Sequence, residues 1–135
     1  MKREKGKSLR IYNVFLLFSV FLLMAGETQA EGVQARYLEN SGKVTVLELT
    51  IEAPAPSSVI VQQQLPPGTR IHNAAPAYTK FNPGKAEVKW LFKRPRPGVR
   101  TITLHYDAPL SGKGASAVIR CKSPTSGQLM TITVP

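Results

Sequence analysis

The chain is poor in the residues that form covalent and metal crosslinks. It contains one cysteine and two histidines in 135 residues. A single cysteine cannot form an internal disulfide, and a zinc site needs three or four ligands in close geometry. The fold must therefore be stabilised by its apolar core. Cys121 is either a buried small hydrophobic residue or a free thiol that can pair between chains.

Sequence motifs of catalysis are also lacking. There is no Gly-x-Ser-x-Gly elbow and no glycine-rich phosphate loop before a helix. His72 and His105 have no acidic or cysteine neighbour at the spacing of metal ligands, and the few carboxylates form no evident acid–base pair. We therefore expect a protein that is not an enzyme and that uses no cofactor and no metal.

Only one long hydrophobic run is present, near the start of the chain. Residues 11–26 are largely apolar, and small residues occupy the −3 and −1 positions of a cleavage site ending at Ala30. The run follows five basic residues, Lys2, Arg3, Lys5, Lys7 and Arg10. This pattern predicts a signal peptide over 1–30 and export to the periplasm or the exterior. The alternative is an uncleaved membrane anchor, although the run is shorter than the roughly 18–20 residues that usually span a bilayer.

The part after residue 30 is short and basic. Its 105 residues are enough for one domain with one core. Five of the 18 basic and two of the eight acidic residues lie before Glu31, so the remainder has a net charge of +7. Such a charge favours anionic partners.

Composition and periodicity of this part indicate an all-β domain. Val, Ile and Thr recur in short alternating runs separated by proline- and glycine-rich turns, and no long stretch has helical spacing. The predicted elements are a polar N-terminal lead (31–42), strands at 43–52, 58–64, 69–72, 115–121 and 128–134, and a strand pair within 86–106. Over 43–135 they predict an immunoglobulin-like β-sandwich of about seven strands, with a small β-barrel as the alternative. A switch of apolar parity at Val46–Leu47 predicts a β-bulge or burial on both faces.

Residues 86–106 form the best-defined unit of the sequence. Val88, Trp90 and Phe92 alternate with mostly polar residues, and the same alternation returns in 101–106 after a Pro/Gly loop. We interpret the unit as an antiparallel strand pair with an exposed basic connection. A strand tryptophan buries a large area, so Trp90 is the first candidate for the core. Alternation in 115–121 likewise places Cys121 with the apolar set.

The order of turns and strands resembles that of a known family. Residues 65–69 form a Leu-Pro-x-Gly turn, 88–90 a Val-x-Trp strand, 96–98 a Pro-Gly loop and 101–104 a Thr-Ile-Thr strand. This pattern, over roughly 43–110, is similar to the conserved-repeat immunoglobulin-like domains of bacterial and archaeal envelope and surface proteins. The resemblance implies the fold and supplies no catalytic residues.

A basic cluster is the sharpest positive feature. It comprises Lys89, Lys93, Arg94, Arg96 and Arg100, within twelve residues of one another. Such a cluster can bind an anionic polysaccharide, lipid head groups or another polyanion, because arginine suits carboxylate and phosphate groups. The alternative is a solvated loop that keeps the domain soluble. Export, and the lack of interleaved aromatic residues, disfavour nucleic acid as the partner.

Two aromatic residues in the loop before residue 86 form a second candidate site. Tyr78 and Phe81 can provide a contact for a carbohydrate or a protein, or they can plug one end of the sandwich.

Two functions are compatible with these features. The first is an exported, non-catalytic module with a protein-interaction or structural role, in which the first or last strand accepts a strand from an envelope or secreted partner. The second is binding of a carbohydrate or anionic polymer through the basic loop 93–100.

Overall fold

The computed structural model describes residues 32–135, which form nine β-strands. They are β1 Val33–Ser41, β2 Val44–Ile51, β3 Ser58–Gln64, β4 Ile71–Ala75, β5 Lys80–Asn82, β6 Glu87–Lys93, β7 Gly98–Tyr106, β8 Ser116–Lys122 and β9 Leu129–Val134. The predicted signal peptide lies outside the described residues. Within 32–135, no helix is long and apolar enough to cross a membrane.

The strands form two antiparallel sheets, as expected for a β-sandwich and unlike the alternative of a closed barrel. Sheet A has the order β1-β2-β7-β4, and sheet B the order β5-β6-β3-β8-β9. The four strands of sheet A, together with β3, β8 and β9, have the strand order of a constant-type immunoglobulin sandwich. The hairpin β5–β6 is inserted between β4 and β7 and extends the free edge of β3.

The interpretation of 86–106 as an antiparallel pair is wrong. β6 pairs with β3 and β5 in sheet B, whereas β7 pairs with β2 and β4 in sheet A. The loop 94–97 therefore crosses from one sheet to the other. Alternation misled here because it records which side chains face the core, and a hairpin and a crossover give the same pattern. The crossing is fixed by a 2.8 Å hydrogen bond from the Arg94 amide to the Ser57 carbonyl and by burial of Pro95.

The N-terminal lead expected at 31–42 is largely a strand. β1 pairs with β2 along its length, and its Asn40 side chain bonds the amide and carbonyl of Ala115 at 2.8 and 2.7 Å. The bulge expected at Val46–Leu47 lies opposite those residues, in β1, where the register shifts between Tyr37 and Glu39. β2 itself is regular, with Leu47 buried and Val46 on the outer face.

The core lies between the sheets and confirms the predicted faces of most strands. Trp90 is 1% exposed, and its indole Nε1 donates to the Pro76 carbonyl at 3.0 Å. Cys121 is buried with the apolar set of β8, as alternation predicted. Two side-chain pairs add polar contacts. The partly buried Tyr37 Oη donates to Gln63 Oε1 at 2.8 Å, and the buried Thr45 and Tyr106 hydroxyls lie 2.7 Å apart.

The segment 73–85, to which the sequence analysis assigns no strand, contains the end of β4 and all of β5. Thr79 attaches this segment to the edge of β6, because its amide donates to the Lys89 carbonyl at 2.8 Å and its hydroxyl accepts from the Leu91 amide at 3.0 Å. This attachment positions Lys80 beside β6, where it joins the surface described next.

Candidate binding surface on sheet B

The outer face of sheet B gathers cations from four separate segments of the chain. We call these six residues the basic face: Lys80, Lys85, Lys89, Lys93, Arg120 and Lys122. Successive side chains of a strand point to opposite faces of the sheet, so the residues between the buried positions of β6 and β8 point to solvent on one shared face. Lys80 adds from β5, and Lys85 from the turn between β5 and β6.

The register shows how closely two of these lysines approach. Lys80 of β5 lies directly opposite Lys89 of β6, and Lys89 lies opposite Gln62 of β3. Directly opposed residues have Cβ atoms about 4.5–5.5 Å apart, and like charges at that position are destabilising. The repulsion between Lys80 and Lys89 therefore lowers the stability of the folded state.

A shallow depression of about 220 Å³ lies at this point of the sheet. Its lining comprises Gln62, Lys80, Asn82, Lys85, Glu87 and Lys89. The one carboxylate, Glu87, accepts a hydrogen bond from the Gln62 side-chain amide. Three ammonium groups and an Asn amide thus surround the depression, which provides donors for an anionic group.

The basic face extends to the end of the sheet. Lys93 of β6 lies opposite Ser58 of β3. Because Cys121 of β8 pairs with Val59, the following residue, Lys122, lies level with Ser58 on its other side. The exposed Arg94 and Arg96 follow Lys93 in the crossing loop. The predicted cluster therefore divides: Lys89 and Lys93 belong to the sheet, and Arg94 and Arg96 extend their charge over its end.

Arg100, the fifth residue of the predicted cluster, lies elsewhere. It is opposite the fully buried Leu49 in the register, so it points between the sheets at the open end of the sandwich. Its guanidinium lies 5.7 Å from the centre of the Phe92 ring, within the range of a cation–π contact. Arg100 is half-buried and covers the end of the core.

Charge pairing distinguishes the basic face from the rest of the described surface. Among residues 32–135, the ion pairs within 4 Å are Arg36–Glu48 at 3.0 Å and His72–Asp107 at 3.2 Å. Both are on other parts of the molecule, so no described acid neutralises the basic face at contact distance. A dense set of unpaired cations is the arrangement that attracts polyanions.

The aromatic candidates form one contact with two different roles. The Tyr78 and Phe81 rings are 5.9 Å apart and tilted by 55°. Phe81 is half-buried and packs against the core, whereas Tyr78 is 40% exposed. Because the rings are not coplanar, they do not form a flat stacking platform. Phe81 acts as a plug, and only Tyr78 offers an external contact, two residues from Lys80.

Cys121 is not positioned for reaction at the surface. It is 3% exposed, and burial raises the pKa of its thiol. Both effects lower the fraction of accessible thiolate, which is the reactive species. Pairing between folded chains through this residue is therefore disfavoured.

His72 has a partner that the sequence spacing did not predict. His72 Nδ1 is 3.2 Å from Asp107 Oδ1, because β4 and β7 are neighbours. Both side chains are exposed, which weakens the pair. A second depression, of about 290 Å³, lies beside Asp107 and is lined mostly by turn residues from Pro67 to Arg70 and from Asp107 to Ser111. No group of three metal-ligating residues occurs within the described chain.

Sequence reasoning missed four members of the basic face, namely Lys80, Lys85, Arg120 and Lys122. The alternation of 115–121 did place Arg120 on the outer side. What alternation cannot give is the order of strands in a sheet, and that order brings β8 and β5 to the same face as β6.

Comparisons with known proteins add little to this description. No protein-family model and no curated protein sequence matches the chain. The resemblance to conserved-repeat immunoglobulin-like domains is thus supported only as far as a β-sandwich. The fold is similar to the crystal structure of ChBD2, a chitin-binding domain from Thermococcus kodakarensis KOD1, with a TM-score of 0.43 and 10% identity over 76% of this chain and 95% of that one. A similarity of this size carries no conclusion about function.

Proposed function

We propose that the protein is an exported, non-catalytic module that binds an anionic polymer through the basic face of sheet B. The observation that carries the proposal is the convergence of six cations from β5, β6, β8 and a turn on one sheet face, without a described acid at contact distance. The proposal modifies the second sequence-based hypothesis, since the sheet face replaces the loop 93–100 as the main contact.

The geometry of a sheet suits a repeating ligand. Neighbouring strands lie about 4.8 Å apart, and outward residues repeat about every 7 Å along a strand. The cations therefore form an open two-dimensional array along the sheet. A polymer with regularly spaced sulfate, carboxylate or phosphate groups can contact several of them at once, and each contact raises the effective concentration for the next.

Lysine dominates this array, and the choice has a consequence. An ammonium group is a compact charge on a flexible stem, whereas guanidinium favours bidentate, planar recognition. Five of the six residues of the basic face are lysines. We expect the face to select for charge density more than for one particular group geometry.

Export, which the N-terminal pattern predicts, determines which polymers are available. Acidic polysaccharides and teichoic-type polymers occur outside the cytoplasm. The proposal places the protein in the periplasm or the exterior and assigns it one of these anionic surfaces.

The test compares two charge-matched triple variants. Lys80→Ser/Lys89→Ser/Arg120→Ser removes three charges from the basic face, and Lys43→Ser/Arg70→Ser/Lys113→Ser removes three exposed charges from turns elsewhere. Affinity for heparin, alginate and polyphosphate is measured from 50 to 500 mM salt. We expect a loss of at least about tenfold for the first variant, a small loss for the second, and binding that weakens steeply with salt. Equal losses would show that only net charge matters and would reject the site.

A further inference from the structure

The four edge strands of the described sandwich differ in how they are protected. β1 carries a bulge between Tyr37 and Glu39, and β4 carries one between Ile71 and Asn73 and ends before Pro76. β5 is three residues long and includes Lys80. Bulges, short length, proline and lysine are the features that keep sheet edges from pairing with other chains.

β9 is also followed by a proline, Pro135, but within its length it has no bulge, proline or lysine. Its sequence, LMTITV, contains no charge and no proline, and its register with β8 runs without a shift from Lys122–Leu129 to Ala117–Val134. β-branched residues at four of the six positions favour the extended conformation. Leu129, at one end of the strand, is 67% exposed.

The free hydrogen-bonding groups of β9 can be assigned from the ladder. The Ser123 amide donates to the Gln128 carbonyl at 2.8 Å, which makes these residues a hydrogen-bonded pair. Hydrogen-bonded and non-bonded pairs alternate along an antiparallel ladder, so Met130, Ile132 and Val134 bond to β8. The remaining residues, Leu129, Thr131 and Thr133, direct their amides and carbonyls to the open edge.

We propose that the edge of β9 binds an extended segment of an acidic partner protein, which adds as a sixth strand to sheet B. The new strand would bond to the three free residues of β9. Its outward side chains would lie on the same sheet face as Arg120 and Lys122, with β9 between the added strand and β8. Acidic residues at these alternate positions have complementary charges within reach of the long cationic side chains.

The inward side chains of the added strand would meet apolar surface. Met130 of β9 and Ala35 and Tyr37 of β1 are partly buried residues at this flank of the core, where β1 and β9 approach each other. Apolar residues at the intervening positions of the partner would complete their burial. The preferred segment therefore alternates acidic and apolar residues.

Charge also selects against a second copy of this chain as the occupant. Residues 32–135 contain thirteen basic and five acidic side chains, so two copies repel each other. Pairing of β9 with a second β9 would in addition bring the two sets of Arg120 and Lys122 to the same sheet face.

The first part of the test is amide hydrogen exchange on the free full chain. We expect Leu129, Thr131 and Thr133 to exchange at least about 100-fold faster than Met130 and Ile132. Equal protection of both sets would show that the edge is already covered, and it would overturn the proposal.

The second part measures binding of a capped peptide of alternating Glu and Val. The matched peptides replace Glu by Lys, group the same Glu and Val residues in blocks, or carry N-methyl groups on alternate amides. We expect each of the three to bind at least about tenfold more weakly. Equal binding of the blocked peptide would show that charge alone is recognised and would reject strand addition.

Variants of the protein separate this site from the basic face. Thr131→Pro removes a free edge amide without removing a bond to β8, and Thr131→Val keeps the amide. We expect Thr131→Pro alone to lose peptide binding while both variants keep affinity for heparin. Loss of peptide binding in Lys80→Ser/Lys89→Ser with full binding by Thr131→Pro would reassign the peptide to the basic face. A dimer in sedimentation that Thr131→Pro dissociates would make a second copy the occupant and contradict the proposal.

Discussion

The outer faces of the two sheets arise from the same alternation of side chains, but their charges are arranged differently. Opposite charges are paired on sheet A, whereas like charges are gathered on sheet B. On sheet A, Arg36 is paired with Glu48, and Glu39 adds a second acid. On sheet B, six cations share the face with a single acid, Glu87, and two of them, Lys80 and Lys89, are directly opposed. Opposed like charges lower stability, so the segregation of charge on sheet B agrees with the proposed binding role.

The largest effect is expected where inner and outer positions of one strand are compared. Trp90→Ala removes a fully buried side chain and its hydrogen bond to Pro76, so we expect a loss of about 3–5 kcal/mol in the free energy of unfolding. Leu91→Ala, at the adjacent outward position, should cost only about 0.5 kcal/mol. Urea denaturation of both variants measures the difference. Similar losses would contradict the assignment of faces on β6.

High pH should destabilise the interior through its buried tyrosines. Burial raises the pKa of Tyr37 above its ordinary value, and it raises the pKa of Tyr106 to about 12. Folding thus favours the neutral phenols, and this stabilisation is complete below pH 10 and lost as the pH rises from 10 towards 12. We therefore expect the two tyrosines to leave the melting temperature unchanged from pH 8 to 9 and to lower it above pH 10. Tyr106→Phe should reduce this fall in melting temperature. An equal fall in the variant would contradict the contribution of the Tyr106 phenol.

Much of the interior could be predicted from the sequence, because burial imposes a period of two on each strand. This holds for Val88, Trp90 and Cys121. The partners of the strands could not be predicted, since β6 and β7 alternate equally well as a hairpin or as a crossover. Arg100 is a different case: it has the parity of the buried Ile102 and Leu104, so the alternation of β7 already indicates its inward direction, and its assignment to an exposed cluster overlooks that parity.

The smallest effects concern single charges on the two outer faces, and they should differ in sign. Lys80→Thr relieves the repulsion with Lys89, so we expect a gain of about 0.2–0.5 kcal/mol at low salt. Arg36→Gln breaks the pair with Glu48 and should cost a similar amount at most. Thermal unfolding at 20 mM and 1 M salt measures both, and high salt should reduce both changes.

Lys43→Thr, in the turn between β1 and β2, is the control for the lysine substitution. If it stabilises the protein as much as Lys80→Thr, the gain comes from net charge and not from the opposed pair.

The most direct measurement is a titration of the isotope-labelled full chain with a sulfated hexasaccharide, followed by amide chemical shifts. We expect the shifts to change along the rows of Lys89, Gln62 and Arg120 on sheet B, while Thr101 and Thr103 on the outer face of sheet A stay constant. Changes confined to the loop 94–97, or equal changes on both sheets, would contradict binding by the basic face.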